Sequence, residues 1–232
     1  ANANLTVKQF QFEHGDMGIL YAKANYSNAE GRINIDAETI DEGASTNIEG
    51  YIDLRHSYIN LPIYANDTRL TSLNKFCGTF MDNINLRGNG WVKVVGPLNN
   101  VNLEGDMLAS GSVRITPLGT TYIVQDGRVT LVPNEISLNN ITIADPEGHK
   151  AVLTGGLHHQ SLRHLTFDFD VQTNNLLTYN FARKASSGTF WGRIYASGKC
   201  QIIGRNHEIT MNVDITPNRN SFITYNAAMV ML

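Results

Sequence analysis

Apolar and polar residues alternate with a period of two along almost the whole chain. Arg32-Ile33-Asn34-Ile35, Val113-Arg114-Ile115, Arg128-Val129-Thr130-Leu131, Leu165-Thr166-Phe167-Asp168-Phe169-Asp170-Val171 and Ile209-Thr210-Met211-Asn212-Val213-Asp214-Ile215 carry the pattern most clearly. It is the pattern of strands with one face buried and the other wet. Turn clusters separate these runs, among them Gly43-Ala44-Ser45, Gly88-Asn89-Gly90, Asp126-Gly127 and Asp145-Pro146-Glu147-Gly148. The last has the residue preferences of a type I turn. Gly96-Pro97-Leu98-Asn99-Asn100-Val101-Asn102-Leu103-Glu104-Gly105 breaks a strand and restarts it within one short turn. Connections of this length predict hairpins and meanders.

One stretch departs from the period. Leu70, Leu73, Cys77 and Phe80 stand at helical spacing after Asp67-Thr68, either of which can cap a first turn, so one short helix is predicted over 69–81. Residues 174–184 fit either period and read better as strand and loop. About fifteen strand candidates side by side would make a sheet on the order of 70 Å long. A twisted sheet of more than about ten strands curls or splits. Strict internal repeats are absent, so the expected fold is mainly β: a long curled antiparallel or mixed sheet forming an open apolar groove, solenoid-like in outline.

Composition narrows the function. The chain has 232 residues, 42% of them hydrophobic, enough to bury a sizeable core. Its net charge of -3 comes from 18 basic and 21 acidic residues scattered singly, which disfavours nucleic acid as a partner. The 26 Asn and 20 Gly residues suit tight turns. No run approaches the ~20 apolar residues that cross a bilayer. The start at Ala1-Asn2-Ala3-Asn4 and the apolar end read as one segment of a longer protein, with any membrane anchor outside residues 1–232. Cys77 and Cys200 read as small apolar residues, although a disulfide between them stays open.

Catalytic and cofactor signatures fail on inspection. Gly88-x-Gly90 lacks the third glycine of a dinucleotide loop, Gly198-Lys199 lacks the rest of a P-loop, and neither Gly-x-Ser-x-Gly nor His-Glu-x-x-His occurs. His158 and His159 point to opposite faces of a strand, so at most one could join His164 on a metal. Asp168/Asp170 and Glu104/Asp106 share a face in pairs, as glycosidase carboxylates must, but Asp168 and Asp170 alternate with Phe167 and Phe169 and read as the solvated side of a strand. No enzyme, metal or cofactor is predicted. The candidate site is instead the apolar face: Val113, Ile115, Val129, Leu131, Leu153, Phe167, Phe169, Ile202, Met211 and Val213. Two readings stay open for it, a filled structural or adhesion module and a trough that accepts an acyl chain.

From about Leu70 onward the order of features is specific. Phe76-Cys77-Gly78 leads into Gly90-Trp91-Val92-Lys93-Val94-Val95-Gly96-Pro97-Leu98, then Gly119-Thr120-Thr121-Tyr122, Asp126-Gly127-Arg128-Val129, Ile141 through Ala151, and Leu153-Thr154-Gly155-Gly156-Leu157-His158. This resembles the C-terminal region of the TamB family, the inner-membrane component of the translocation and assembly module, among the AsmA-like bridge-type lipid transfer proteins. On this view residues 67–232 are the TamB-like β-groove part and residues 1–66 a divergent β-rich part of one segment. The resemblance implies a periplasmic protein anchored to the inner membrane elsewhere. It implies phospholipid or fatty acyl chains as cargo between inner and outer membrane, and support of outer-membrane protein assembly with a partner barrel of the assembly-factor type. It carries over no catalytic residue, and His158 and the Asp145–Gly148 turn match recurrent family positions as structural residues.

Overall fold

The computed structural model describes all residues except 13–14, 71–72, 74–79, 162, 184–189, 206–207 and 226–232. Period-two alternation becomes strand after strand: β1 (Asn2–Val7), β2 (Gln11–Phe12), β3 (Gly15–Asp16), β4 (Ile19–Ser27), β5 (Arg32–Asp41), β6 (Ala44–Asp53), β7 (Tyr58–Arg69) and β8 (Met81–Pro97). There follow β9 (Asn102–Ile115), a 3-10 turn over Thr116–Leu118, β10 (Thr120–Val132), β11 (Glu135–Ala144), β12 (Lys150–Gln160), β13 (Arg163–Phe181), β14 (Phe190–Arg205), β15 (Glu208–Pro217) and β16 (Phe222–Tyr225). β2 and β3 pair with each other. The remaining 14 strands make one sheet in the order β1-β4-β5-β6-β7-β8-β9-β10-β11-β12-β13-β14-β15, with β16 beside β14. Every pairing is antiparallel, so the mixed alternative drops out, and the sheet is not closed. The 66/67 division lies inside β7 at the register slip between Ala65 and Thr68, and the sheet continues on both sides of it.

Of the helix expected over 69–81, Leu73 is helical, while its two ends are strand. Arg69 ends β7 and Met81 opens β8, while 71–72 and 74–79 lie outside the described residues. The residues read as a helix cap are ladder residues: Thr68 pairs with Gly88, and its hydroxyl donates to the Ser45 carbonyl at 2.9 Å. The sheet's hydrogen bonds satisfy the groups that a helix start would have needed.

Paired residues share a face, so the register sorts the whole sheet into two sides. One row crosses all thirteen strands of the ladder: Val7, Leu20, Thr39, Thr46, Ala65, Gly90, Met107, Val129, Leu138, Gly155, Phe169, Ile202 and Met211. It contains no charge. The adjacent row on the other side runs Thr6, Tyr21, Glu38, Asn47, Tyr64, Trp91, Asp106, Thr130, Ser137, Gly156, Asp168, Ile203 and Thr210. Cross-strand ion pairs dress this polar side, as between Arg114 and Asp82 at 2.8 Å and Arg32 and Asp53 at 3.0 Å.

The sheet folds toward its apolar side. Strands lie about 4.8 Å apart, so β10 and β13 would be about 14 Å apart in a flat sheet, yet the Tyr122 hydroxyl on β10 donates to the Leu177 carbonyl on β13 at 3.0 Å. Bulges supply the bend. β7, β8, β10 and β11 each slip register once and β13 three times, and five of these seven slips hold a left-handed Asn or Asp: Asp67, Asn83, Asp126, Asn140 and Asn175, at φ 52, 46, 49, 52 and 57°. Asn and Asp adopt this conformation at little cost, whereas a β-branched residue does not. Much of the asparagine expected in turns therefore sits inside strands. Gly119, also left-handed at φ 64°, follows the 3-10 turn, and a Cβ there would lie 2.4 Å from the Asn180 carbonyl oxygen of β13.

A buried carboxylate locks the fold-over. Asp145 opens the β11–β12 turn, whose Gly148 N–H donates to the Asp145 carbonyl at 3.0 Å. Its side chain, in a residue only 1% exposed, accepts from the N–H groups of Glu147, His149 and Leu177 and lies 2.9 Å from His149 Nδ1. Burial opposes its charge, but the N–H of Leu177, the His149 imidazole and the other two N–H groups outweigh it and hold the pKa below the usual carboxylate value. Asp53 repeats the arrangement at the β6–β7 turn, its pKa held low first by the His56 N–H and then by the His56 ring.

Depressed carboxylates contribute stability that is complete above the unfolded pKa of about 3.9 and is lost as pH falls through the folded value. Urea midpoints should accordingly fall below about pH 4, and Asp145→Asn should flatten that fall. At a bulge, Asn140→Gly should leave the midpoint nearly unchanged, while Asn140→Val should cost about 1–2 kcal/mol by the same measurement.

Candidate functional site

All ten residues predicted to line the site lie on the apolar side of the one sheet. The register joins Val113 and Ile115 of β9 to Tyr122 and Thr120, Val129 and Leu131 of β10 to Leu138 and Ile136, and Leu153 of β12 to Val171. Phe167 and Phe169 of β13 face Gly204 and Ile202, and Met211 and Val213 of β15 complete the ladder opposite Ile202 and Cys200.

Their burial divides them into two groups. Val113 and Leu131 are buried within the folded-over section, and Tyr122, Ala151 and Leu176 form its core with Ile115, Leu118, Ile143 and Val171 packed around them. Burial pushes the Tyr122 phenol up to about 12, so it stays a neutral donor to Leu177 at ordinary pH. Met211 and Val213 on β15 are instead 44% and 53% exposed, and Leu5 on the opposite edge strand is 54% exposed. The chain exposes 14135 Å² in all, against roughly 10,400 Å² for a folded monomer of its mass. On the apolar face the edge residues Leu5, Met211 and Val213 therefore have no protein cover.

Charge is kept to the margins of this face. Asp41, at the β5–β6 hairpin, is neutralised by Arg69 at 3.0 Å. Beside them Thr46 and Thr68 hydrogen-bond to one another at 2.9 Å. The inward Thr120 and Thr173 donate to the backbone carbonyls of Leu118 and Ala196. Hydroxyls satisfied in this way add little barrier to an apolar occupant.

The other candidates do not assemble into chemistry. His158 lies on the polar side 4.0 Å from Glu135, His159 is buried, and His164 is exposed at the start of β13. Among the described residues no group of three His, Cys, Asp or Glu is placed to hold a metal. Asp106 is held by Arg128, Glu104 lies 4.0 Å from Lys93, and Asp168 accepts from Gln201. Asp170 shares their polar side, on β13 opposite Gln201. Cys200 is a free thiol on the apolar side, and Cys77 lies outside the described residues.

The ten residues omit half of the face. Ile33, Ile35, Ile48, Ile52, Ile59, Leu61 and Ile63, on β5, β6 and β7, stand in the same register on the same side. Their alternation carries the same signal as that of the later strands. Phe80 and Leu176 also belong to the site, and only the bend that brings them there identifies them.

No family model matches the chain, and neither curated proteins nor solved structures provide a match. The geometry alone therefore carries the functional argument.

A charge on this face should be costly where the sheet folds over and tolerated where it is open. Val113→Asp should lower stability by about 3 kcal/mol or more in urea titration, whereas Val213→Asp should cost under about 1 kcal/mol.

Proposed function

We propose that this chain is a non-enzymatic lipid-conducting segment whose apolar face forms a trough for acyl chains. The observation that carries the reading is the uncharged row that crosses thirteen strands in register, backed by a row that carries Glu38, Asp106 and Asp168. Each methylene moved from water into such a lining gains about 0.8 kcal/mol, so a sixteen-carbon chain gains on the order of 12 kcal/mol. One unpaired inward charge would interrupt that gain, and Asp41, the charge at the margin, is paired with Arg69. Twelve strand spacings make a path of roughly 58 Å, long beside one phospholipid.

The resemblance to the TamB family, noted from the order of motifs, supplies the setting: phospholipid carried across the periplasm by a protein anchored to the inner membrane, together with an outer-membrane barrel partner. A filled structural or adhesion module is the second reading, and the packed core around Tyr122 and Leu176 favours it. The open expanses at β1 and β15 favour the trough.

Lipid extraction and mass spectrometry on the chain purified without detergent separate the two. Wild type should carry phospholipid, and Phe167→Arg should lose it while keeping β-type circular dichroism. Absence of lipid from folded wild type would return the molecule to the filled module.

A further inference from the structure

The last strand of the ladder ends on an undefended edge. β15 pairs with β14 from Glu208 to Pro217 without a slip of register. The alternate N–H and C=O groups on its far side meet no strand among the described residues. Sheet edges are ordinarily blunted by a lysine, a proline, a bulge or a covering loop. Between Ile209 and Thr216 β15 has no Lys, no Pro and no bulge, and every residue there except Ile215 is exposed. Its apolar side presents Ile209, Met211 and Val213 to solvent. The opposite edge strand, β1, has six residues and one large exposed apolar side chain, Leu5.

The sequence of β15 is close to palindromic about Asn212. Laid antiparallel against a second copy, with Asn212 opposite Asn212, it sets Met211 against Val213 and Ile209 against Ile215 on the apolar side. On the polar side Thr210 meets Asp214, and Glu208 meets Thr216. No like charges stand directly opposite, and Asp214 has Lys199 across from it within its own chain. Other registers are worse. A shift that sets apolar against polar is excluded by sidedness. An axis at Met211 puts Asp214 opposite Glu208 twice, and like charges so placed are destabilising. An axis at Val213 brings Pro217, which has no N–H, into the new ladder.

We infer that β15 is a self-association surface along which two copies of this chain pair antiparallel about a two-fold axis through Asn212. The contact is isologous, so it closes as a dimer. The axis stands perpendicular to the sheet, which keeps both apolar faces on the same side and carries the uncharged face from one copy into the other. The inference holds whatever that face carries.

Sedimentation from about 1 to 100 µM, with circular dichroism to check folding, provides the first test. Wild type should reach twice the 25.7 kDa of one chain. Thr210→Asp sets a carboxylate against Asp214 of the other copy at two places and should weaken the dimer by about tenfold. Thr210→Lys should tighten it instead, by an amount that salt reduces. Register is read by oxidative crosslinking in a background of Cys77→Ser and Cys200→Ser. Asn212→Cys should link to itself, because directly opposed residues lie about 5 Å apart, within disulfide reach. Thr210→Cys should not, its two copies being offset by about 14 Å along the strands. A monomer throughout the range would overturn the inference. So would a dimer that ignores both Thr210 variants and fails to crosslink at 212, or assemblies that grow beyond two copies, the mark of β15 pairing with β1.

Discussion

Strand register is the constraint on which the rest of this molecule depends. Side chains alternate sides at every residue, and each hairpin fixes which residues stand opposite one another. A slip of one residue anywhere in the meander would carry Glu38, Asp106 or Asp168 onto the side now held by Leu20, Met107 and Phe169. The ladder avoids this across thirteen strands. Five of its register slips insert an Asn or Asp and then restore apolar to the same side, as when Leu138 and Ile141 both face β12's apolar residues. Bulges that would otherwise scramble the pattern bend the sheet and leave its sidedness intact.

Bending follows from the same sidedness. A sheet with one apolar face and no second layer must cover that face with itself, with another molecule, or leave it wet. Here the section from β9 to β13 covers itself through Tyr122, Ala151 and Leu176, while the outer strands stay uncovered. A buried carboxylate secures the closure too. Asp145 reaches the Leu177 N–H just as Tyr122 reaches the Leu177 carbonyl from the apolar side, so both polar groups of one peptide residue are held where β13 turns inward. Losing either leaves a buried backbone group unpaired.

The sequence discloses much of this and withholds particular parts. Alternation announces the strands, the shared side of Val113, Phe167 and Ile202, and the polar placement of Asp168, because period two is a local property that each segment displays alone. The start of the helix over 69–81 misleads for the opposite reason: Asp67 and Thr68 suit a helix cap locally, but Thr68 and Arg69 are claimed by ladder partners about twenty residues away. Phe80 meeting Phe167 depends on bulges in strands between them, so no window of sequence contains the signal. The bulges themselves show in the sequence only as Asn and Asp residues, which suit a turn and a left-handed strand position equally well.

The central claim is that one side of the sheet, along its whole length, is a lipid surface. Photo-crosslinking tests it most directly, with a benzophenone side chain placed in turn at Leu20, Ile63, Met107, Leu138 and Met211 and, as the opposite set, at Tyr21, Tyr64, Asp106, Ser137 and Thr210. With radiolabelled phosphatidylethanolamine vesicles, the account predicts lipid adducts at every position of the first set and none in the second. Adducts on both sides, or on neither, would contradict it.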